Sequence, residues 1–363
     1  MAKKILILGN SSAGMFHFRE TLIRELCSAG NEVVISVPAG MKWEELQALG
    51  AKVIETDMER RGMNPVKDLS LLKKYATLFK AEKPDFIITY TIKPNIYGGY
   101  MAKKKKIPYA ANITGLGTAF QNEGFVKSMV TIMYRTALKG ADTVFFENAE
   151  NCDSFLNSRI CTRKQAFVLN GAGVDTEHFR QAEYPSGEPV RFLFIGRVME
   201  EKGVNELFDA MKRLVAEGHP CVLDVLGSCE EDYQAVMERY EKQGWLRFLG
   251  YQTDVRPFIE QSHCFVLPSW HEGMANTNLE AAAMGRPVIT SNIHGCLEAV
   301  EDGKTGYVCE KQNAEDLYRQ MKRFLALSDE ARQTMGAAGR KRAEQLFDRR
   351  VVVRTTLERL GLA

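Results

Sequence analysis

The sequence predicts an α/β architecture of two doubly wound, parallel-sheet units in series, facing a central cleft. Three observations carry this. Short apolar runs alternate with helical patterns along nearly the whole chain, which builds a parallel sheet covered on both faces. The pattern restarts after a polar connector, Tyr184–Pro189 (YPSGEP): Arg191–Ile195 closed by Gly196 repeats the opening of the chain, Lys4–Leu8 closed by Gly9. And 363 residues are enough for two domains of ordinary size. The boundaries read as a first domain over 1–184, a second over 185–346 and a terminal helix over 347–363.

Composition narrows the class. Hydrophobic content of 45% and charged content of 26% fit a soluble globular protein. A net charge of only +2 gives no strong pull toward nucleic acid. The 8 cysteines are scattered singly with no C-x-x-C pair, and read as reduced, mostly buried thiols in a cytoplasmic protein. MAKKILILG reads as a first strand rather than a secretion signal. No apolar run approaches the ~20 residues a membrane span requires.

In the first half, Lys4–Leu8 is a strand, Gly9–Gly14 (GNSSAG) a turn, and about Met15–Ala29 an amphipathic helix. Strands follow at Val33–Val37 and Lys52–Glu55, a polar helix at about Val66–Ala81, then strands at Phe86–Tyr90, Ile107–Ile113, Thr143–Phe146 and Phe167–Leu169. Ligands of such sheets bind beyond the carboxyl ends of the strands, which singles out the loops Asn10–Gly14, Thr89–Asn95 and Thr114–Phe120. The first lacks a full G-x-G-x-x-G and its acidic partner, so a dinucleotide fingerprint is unsupported, although its glycines permit close approach of a ligand. His17, Arg19 and Glu20 open the next helix. A lone histidine there is more often a surface or packing residue, whereas Arg19 suits the phosphate of an acceptor. The glycine loop after Ile113 is followed by Gln121, Asn122 and Glu123. Lys103–Lys106 leave two readings open. They cap a helix C-terminus in solvent, or they form a basic patch for anionic headgroups or a diphosphate-bearing acceptor, each surface lysine adding ~1 kcal/mol at an anionic membrane. Tyr97, Tyr100 and Tyr109 lie near them in sequence.

In the second half, Gly196–Gly203 (GRVMEEKG) follows the first strand and leads into a helix over Val204–Ala216. A lysine at that helix start, Lys202, opposes the helix dipole unless an anion lies between them. A diphosphate gripped by Lys202 and the forked guanidinium of Arg197 meets that condition; two solvated surface cations are the plainer alternative. Strands Cys221–Leu226 and Leu246–Leu249 follow, the latter ending at Gly250–Tyr251, where backbone near Tyr251 and Gln252 would lie close to a nucleotide base. Strand Cys264–Leu267, a loop holding Gly273 and a helix over about Asn276–Met284 make a ready anion site of free amides and a positive dipole end. Two acids flank it, Glu272 and Glu280. They fit if they hold neutral hydroxyls, of a sugar and a ribose, while backbone amides hold phosphate; two solvated helix acids are again the alternative. Strand Val288–Thr290, a turn at His294–Gly295, a turn and strand over 301–308 and helices over about 314–327, 329–346 and 349–360 complete the chain.

Three motifs in order, G-R-x-x-x-x-K-G at Gly196–Gly203, EGMANTNLEAAAMGRPVI at Glu272–Ile289 and G-x-x-E-x-V-x-x-G-x-x-G at Gly295–Gly306, resemble those of glycosyltransferase family 4, the retaining sugar transferases of the GT-B fold. HFRETLIREL at His17–Leu26, with the ITGLG loop, is similar to bacterial enzymes that extend lipid-linked oligosaccharides for capsule or exopolysaccharide, N-acetylgalactosaminyl- and galactosyltransferases among them. The resemblance implies transfer of a hexose or N-acetylhexosamine from a nucleotide-diphosphate sugar, UDP-linked, to a polyprenyl-diphosphate-linked or other saccharide acceptor. It implies that Arg197 and Lys202 hold the donor diphosphate with amides of Gly273, Met274, Ala275, Asn276 and Thr277. Glu272 would hold the donor sugar and Glu280 the ribose, with Tyr251 beside the base and Gly14 reaching the diphosphate from the other domain. Glu272, Arg197 and Lys202 are the expected catalytic set, without metal or cofactor, and the chain has no D-x-D. His17, Arg19 and Thr114 are the expected acceptor residues. Many relatives carry a histidine or acid where Thr114 stands, so either His17 or Glu123 takes its part or no such group is needed. The terminal helix is expected to return to the first domain. The expected location is the cytoplasm at the inner face of the cell membrane, with contact through Lys103, Lys104, Lys105 and Lys106. Two alternatives share the architecture. A nucleotide-sugar 2-epimerase would need acids and a histidine around the sugar and would lack Arg197 and Lys202 in this setting. A non-catalytic donor-binding subunit fits the departure at Thr114.

Overall fold

The computed structural model describes residues 2–59, 65–117, 120, 124–229 and 233–362. Glu123 lies outside them. The chain divides into two compact units, Met1–Ala172 with Arg350–Ala363, and Gly173–Arg349.

The first unit is a seven-stranded sheet built from β1 (Lys4–Leu8), β2 (Glu32–Val37), β3 (Lys52–Glu55), β4 (Phe86–Tyr90), β5 (Tyr109–Ile113), β6 (Thr143–Phe146) and β7 (Ala166–Val168), in the order β3-β2-β1-β4-β5-β6-β7. Every pairing is parallel. Parallel strands covered on both faces read as unbroken apolar runs, and Ile5–Leu8 are wholly buried between β2 and β4. One face packs on α1 (Ser12–Ser28), the other on helices that include α3 (Pro65–Glu82) and α5 (Phe125–Leu138). Helix α1 starts at Ser12 rather than near Met15, because the Ser11 hydroxyl caps it by accepting the Gly14 N–H at 3.1 Å. A short helix over Trp43–Ala48, α2, was not anticipated. After β4 the backbone makes a π-turn over Pro94–Gly98 that runs into α4 (Gly99–Lys105). Buried Asn95 anchors that turn, accepting from the Thr89 hydroxyl at 2.6 Å and donating to the Asn112 carbonyl at 2.8 Å.

The last helix, α13 (Arg349–Leu360), returns to this unit. Val352, Val353 and Leu357 join Ile5, Ile7 and Ile23 in one core.

The second unit is a six-stranded sheet of β8 (Val190–Ile195), β9 (Cys221–Leu226), β10 (Leu246–Gly250), β11 (Cys264–Leu267), β12 (Val288–Ser291) and β13 (Gly306–Cys309), in the order β10-β9-β8-β11-β12-β13. All its ladders are parallel. Its helices are α7 (Val204–Ala216), α8 (Gln234–Lys242), α9 (Arg256–Gln261), α10 (Asn276–Ala283), α11 (Ala314–Leu325) and α12 (Asp329–Arg342); in the first unit, α6 spans Ala149–Asn157. The joint between units falls at Ala172/Gly173, ahead of the YPSGEP segment. Val174 and Phe179 pack in the core with Phe192 and Phe265. Arg286, wholly buried, ties the same stretch down by donating to the carbonyls of Glu183 (2.7 Å), Ile259 (2.9 Å) and Glu260 (2.9 Å). A buried cation persists only when its donors are met. Here backbone carbonyls meet them, and burial still lowers the guanidinium to about 10.

All eight cysteines are free thiols, six of them buried. Among the described residues no helix is long and apolar enough to cross a membrane.

Candidate active site

In the second sheet β8 lies between β9 and β11, so the chain leaves β8 in one direction and β11 in the other. The crevice beyond the carboxyl ends of two such strands is where open α/β sheets bind ligands. The loops over 196–203 and 268–275 meet there.

Glycines let these loops touch. Gly203 has φ +70°, and a Cβ on it would stand 2.1 Å from the Pro268 carbonyl oxygen. Gly227, φ +142°, would collide in the same way with the Gly196 carbonyl oxygen at 1.8 Å. Only glycine combines that backbone region with so close an approach.

Two bonds from Trp270 staple the loops further. Its N–H donates to the Glu201 carbonyl at 2.9 Å, and its indole donates to Glu206 Oε1 at 3.1 Å. Burial raises the Glu206 carboxyl, and its Oε2 is buried without a hydrogen-bond partner among the described residues. Neither residue was singled out from the sequence. A tryptophan beside a predicted loop and an acid in the first turn of α7 were the available signals.

Lys202 sits in a 3₁₀ turn, Glu200–Lys202, immediately before α7, rather than inside the first turn of the helix. Its dipole conflict is relieved by Glu272: Lys202 Nζ lies 2.5 Å from Glu272 Oε1. Ser269 Oγ donates to the same oxygen at 2.8 Å. The cation and the acid expected to serve different parts of a donor are therefore partners of one another. Both are half-buried, which makes the pair stronger than an exposed one. Arg197 is exposed on the same loop, next to buried Val198.

Helix α10 opens at Asn276 with no side-chain cap and no acid in its first turn. Two amides expected to hold phosphate are already used: Ala275 N–H donates to the Gly295 carbonyl at 2.8 Å and Asn276 N–H to the Met274 carbonyl at 3.0 Å. Among the described residues no hydrogen bond uses the amides of Met274 and Thr277. Gly295, φ +92°, presses on the loop from behind, since a Cβ there would be 2.8 Å from the Glu272 carbonyl oxygen. Glu298 fixes that turn by accepting the Gly295 N–H at 2.6 Å and contacting His294 Nδ1 at 3.0 Å. Glu280 is one turn into α10. Burial pushes its carboxyl up to about 7, with Arg349 pulling the other way.

Tyr251, 66% exposed, follows the edge strand β10, whose last residue, Gly250, accepts the Gly227 N–H at 2.8 Å.

The remaining expected residues belong to the first unit. The Gly14 N–H is taken by the Ser11 cap, and His17 is exposed on α1. Arg19 pairs with Glu147 at 3.0 Å and lies 4.5 Å from the centre of the Tyr90 ring. It is thus already engaged at the carboxyl ends of β4 and β6. Burial raises the Glu147 carboxyl while Arg19 lowers it. Thr114 is half-buried just after β5. Lys106 closes α4 as its left-handed C-cap, Lys103 Nζ donates to the Thr136 carbonyl of α5 at 3.1 Å, and Lys104–Lys106 are exposed.

A family model described as Glycosyl transferases group 1 matches residues 175–342, and one described as Glycosyl transferase 4-like matches residues 4–148. The chain is 28% identical to the N,N'-diacetylbacillosaminyl-diphospho-undecaprenol alpha-1,3-N-acetylgalactosaminyltransferase of Campylobacter jejuni, over 90% of each protein. It is 25% identical to the capsular polysaccharide biosynthesis glycosyltransferase CapM of Staphylococcus aureus, over 85% of each. In structure it superposes on a glycosyltransferase of Rickettsia africae with a TM-score of 0.80 at 20% identity, over 99% of this chain and 98% of that one. Anabaena HepE, solved with UDP and glucose, gives 0.80 at 17% identity, over 99% of each chain. Two parallel-sheet units, motif loops gathered at a switch point and the two family models, over 4–148 and 175–342, together place the chain among the family 4 glycosyltransferases of the GT-B fold.

Proposed function

We propose that this transferase moves a hexose or N-acetylhexosamine, with retention, from a UDP-sugar to a polyprenyl-diphosphate-linked saccharide during cell-surface polysaccharide assembly. The observation that carries the reading is the Lys202–Glu272 pair at the β8/β11 switch point, facing an uncapped helix start. An entering diphosphate competes with Glu272 for Lys202. It takes the ammonium, the Arg197 fork and the Met274 and Thr277 amides, and it frees the Glu272 carboxylate to accept hydroxyls of the donor sugar. Glu280 holds the ribose. Positive charge preorganised at the departing diphosphate stabilises the transition state more than the ground state. It also does the work a divalent metal does elsewhere, so transfer is expected to persist in a chelator. The acceptor hydroxyl attacks on the side the nucleotide leaves, and a phosphate oxygen takes its proton.

The relatives named for an undecaprenol-linked substrate and for capsule support the acceptor class. His17 and Thr114 are its proposed contacts, and Arg19 can serve only if a phosphate displaces Glu147. A lipid-linked acceptor would bring the chain to the cytoplasmic face of the membrane, with Lys104–Lys106 toward the headgroups.

A panel of nucleotide sugars tests this by thermal shift and by release of nucleotide. One UDP-sugar should raise the melting temperature and be slowly hydrolysed, as a ligand that binds only the folded state must stabilise it. A changed sugar on intact UDP, or no response to any donor, would overturn the reading.

A further inference from the structure

We propose that the outward face of α5 is a bilayer-docking surface that sinks apolar side chains among anionic lipid headgroups. Helix α5 buries Val130, Tyr134, Ala137 and Leu138 against its own unit. The opposite face carries Phe125, Met129 and Ile132 at i, i+4 and i+7, which places them in one line along the helix. Phe125 is 81% exposed, Ile132 60% and the adjoining Val126 45%. A helix lying on a soluble unit normally turns charged and polar residues outward. Large apolar side chains gathered on one exposed face instead mark a contact surface.

Charge says what the contact is. Lys103 Nζ, bonded to the Thr136 carbonyl, places the end of α4 beside the last turn of α5. Across Gly99–Lys106 and Phe125–Leu138 there are 6 cations (Lys103, Lys104, Lys105, Lys106, Lys127 and Arg135) and no carboxylate, in a chain whose net charge is +2. Tyr100, partly exposed, precedes Lys104 by one turn of α4. An apolar line with exposed lysines gathered at its end matches an interface with anionic headgroups above an acyl region: the rings and branched chains enter it, and the lysine stems lie along it with their ammonium groups in the phosphate layer. A second copy of this chain would set the same cations against one another, whereas an anionic headgroup layer neutralises them. The inference deepens the lipid-linked acceptor reading by assigning the element that meets the membrane, and it stands on exposure and charge rather than on the donor site.

The test is flotation of the full chain with vesicles of phosphatidylcholine alone or mixed with phosphatidylglycerol. The wild type should float with the mixed vesicles and much less with the neutral ones. Phe125→Ser with Ile132→Ser should weaken that binding roughly tenfold or more and leave a remainder that salt abolishes. Replacing Lys104, Lys105 and Lys106 by Gln should remove the preference for phosphatidylglycerol. The melting temperature and nucleotide release from a soluble donor should stay unchanged in both variants. Failure of the wild type to bind mixed vesicles at low salt, or equal binding by the serine variant, would overturn the proposal. So would a concentration-dependent dimer that the serine variant loses. Absence of donor hydrolysis in a wild type that still floats would remove the transferase reading and leave this surface in place.

Discussion

The Glu272 carboxylate takes the Lys202 ammonium and the Ser269 hydroxyl on a single oxygen, so one residue links both strands of the switch point. Lys202→Ala removes a cation from the expected leaving-group position, and turnover should fall by roughly two to three orders of magnitude. It also strands Glu272, so Lys202→Ala with Glu272→Gln should cost less than the sum of the single changes, as expected for groups that act together. Rates of nucleotide release for the three variants check both statements; strict additivity would mean the pair is not functionally joined. Glu280 gives a pH test. Its folded carboxyl is raised to about 7 from an ordinary 4.5, so between those values the folded chain holds more protons than the unfolded one. Stability attributable to this group therefore falls as pH rises through that window, and the cost is complete above about 7. Glu280→Gln should raise the melting temperature more at pH 8 than at pH 5, and equal shifts at the two pH values would refute the assignment. The sequence named Lys202, Glu272 and Glu280, but not the ion pair. That contact spans 70 residues and exists only because β8 and β11 are neighbours in the sheet. Arg19 shows the same blindness, since its engagement by Glu147 and Tyr90 depends on three separate elements meeting.

At the scale of elements, the loops are held by backbone geometry that admits glycine alone. Gly295→Ala would add strain at φ +92° and push on the Glu272 carbonyl. It should destabilise the protein by about 1–3 kcal/mol and weaken donor binding several-fold, seen together in denaturant unfolding and donor titration. Lost stability with unchanged donor affinity would show that this turn does not support the loop. Regular strands were legible because their apolar runs are short and bounded: β3, β4, β6, β9 and β11 begin and end where the alternation places them. The start of α1 was not, since the Ser11 cap outweighs the turn signal of Gly14. Nor were the π-turns at Pro94–Gly98 and Ala343–Phe347, the first of which is anchored by a buried asparagine bonded across the sheet. No local period carries that information.

For the whole molecule, α13 carries the chain back into the core of the first unit. Leu357, buried in the first core by α13, should cost about 2–3 kcal/mol when changed to alanine. Hydrogen exchange should then quicken in β1 and β2 while β8 and β11 keep their protection; equal loss in both units would mean they unfold as one. That return was expected from the family resemblance alone, because the helical pattern of 349–360 does not say which core it serves. The most direct test of the account is a crystal structure with a bound UDP-sugar. It should show the diphosphate on Lys202, Arg197 and the Met274 and Thr277 amides, with Glu272 turned from Lys202 to the sugar. A nucleotide bound elsewhere, with Lys202 and Glu272 still paired, would contradict it.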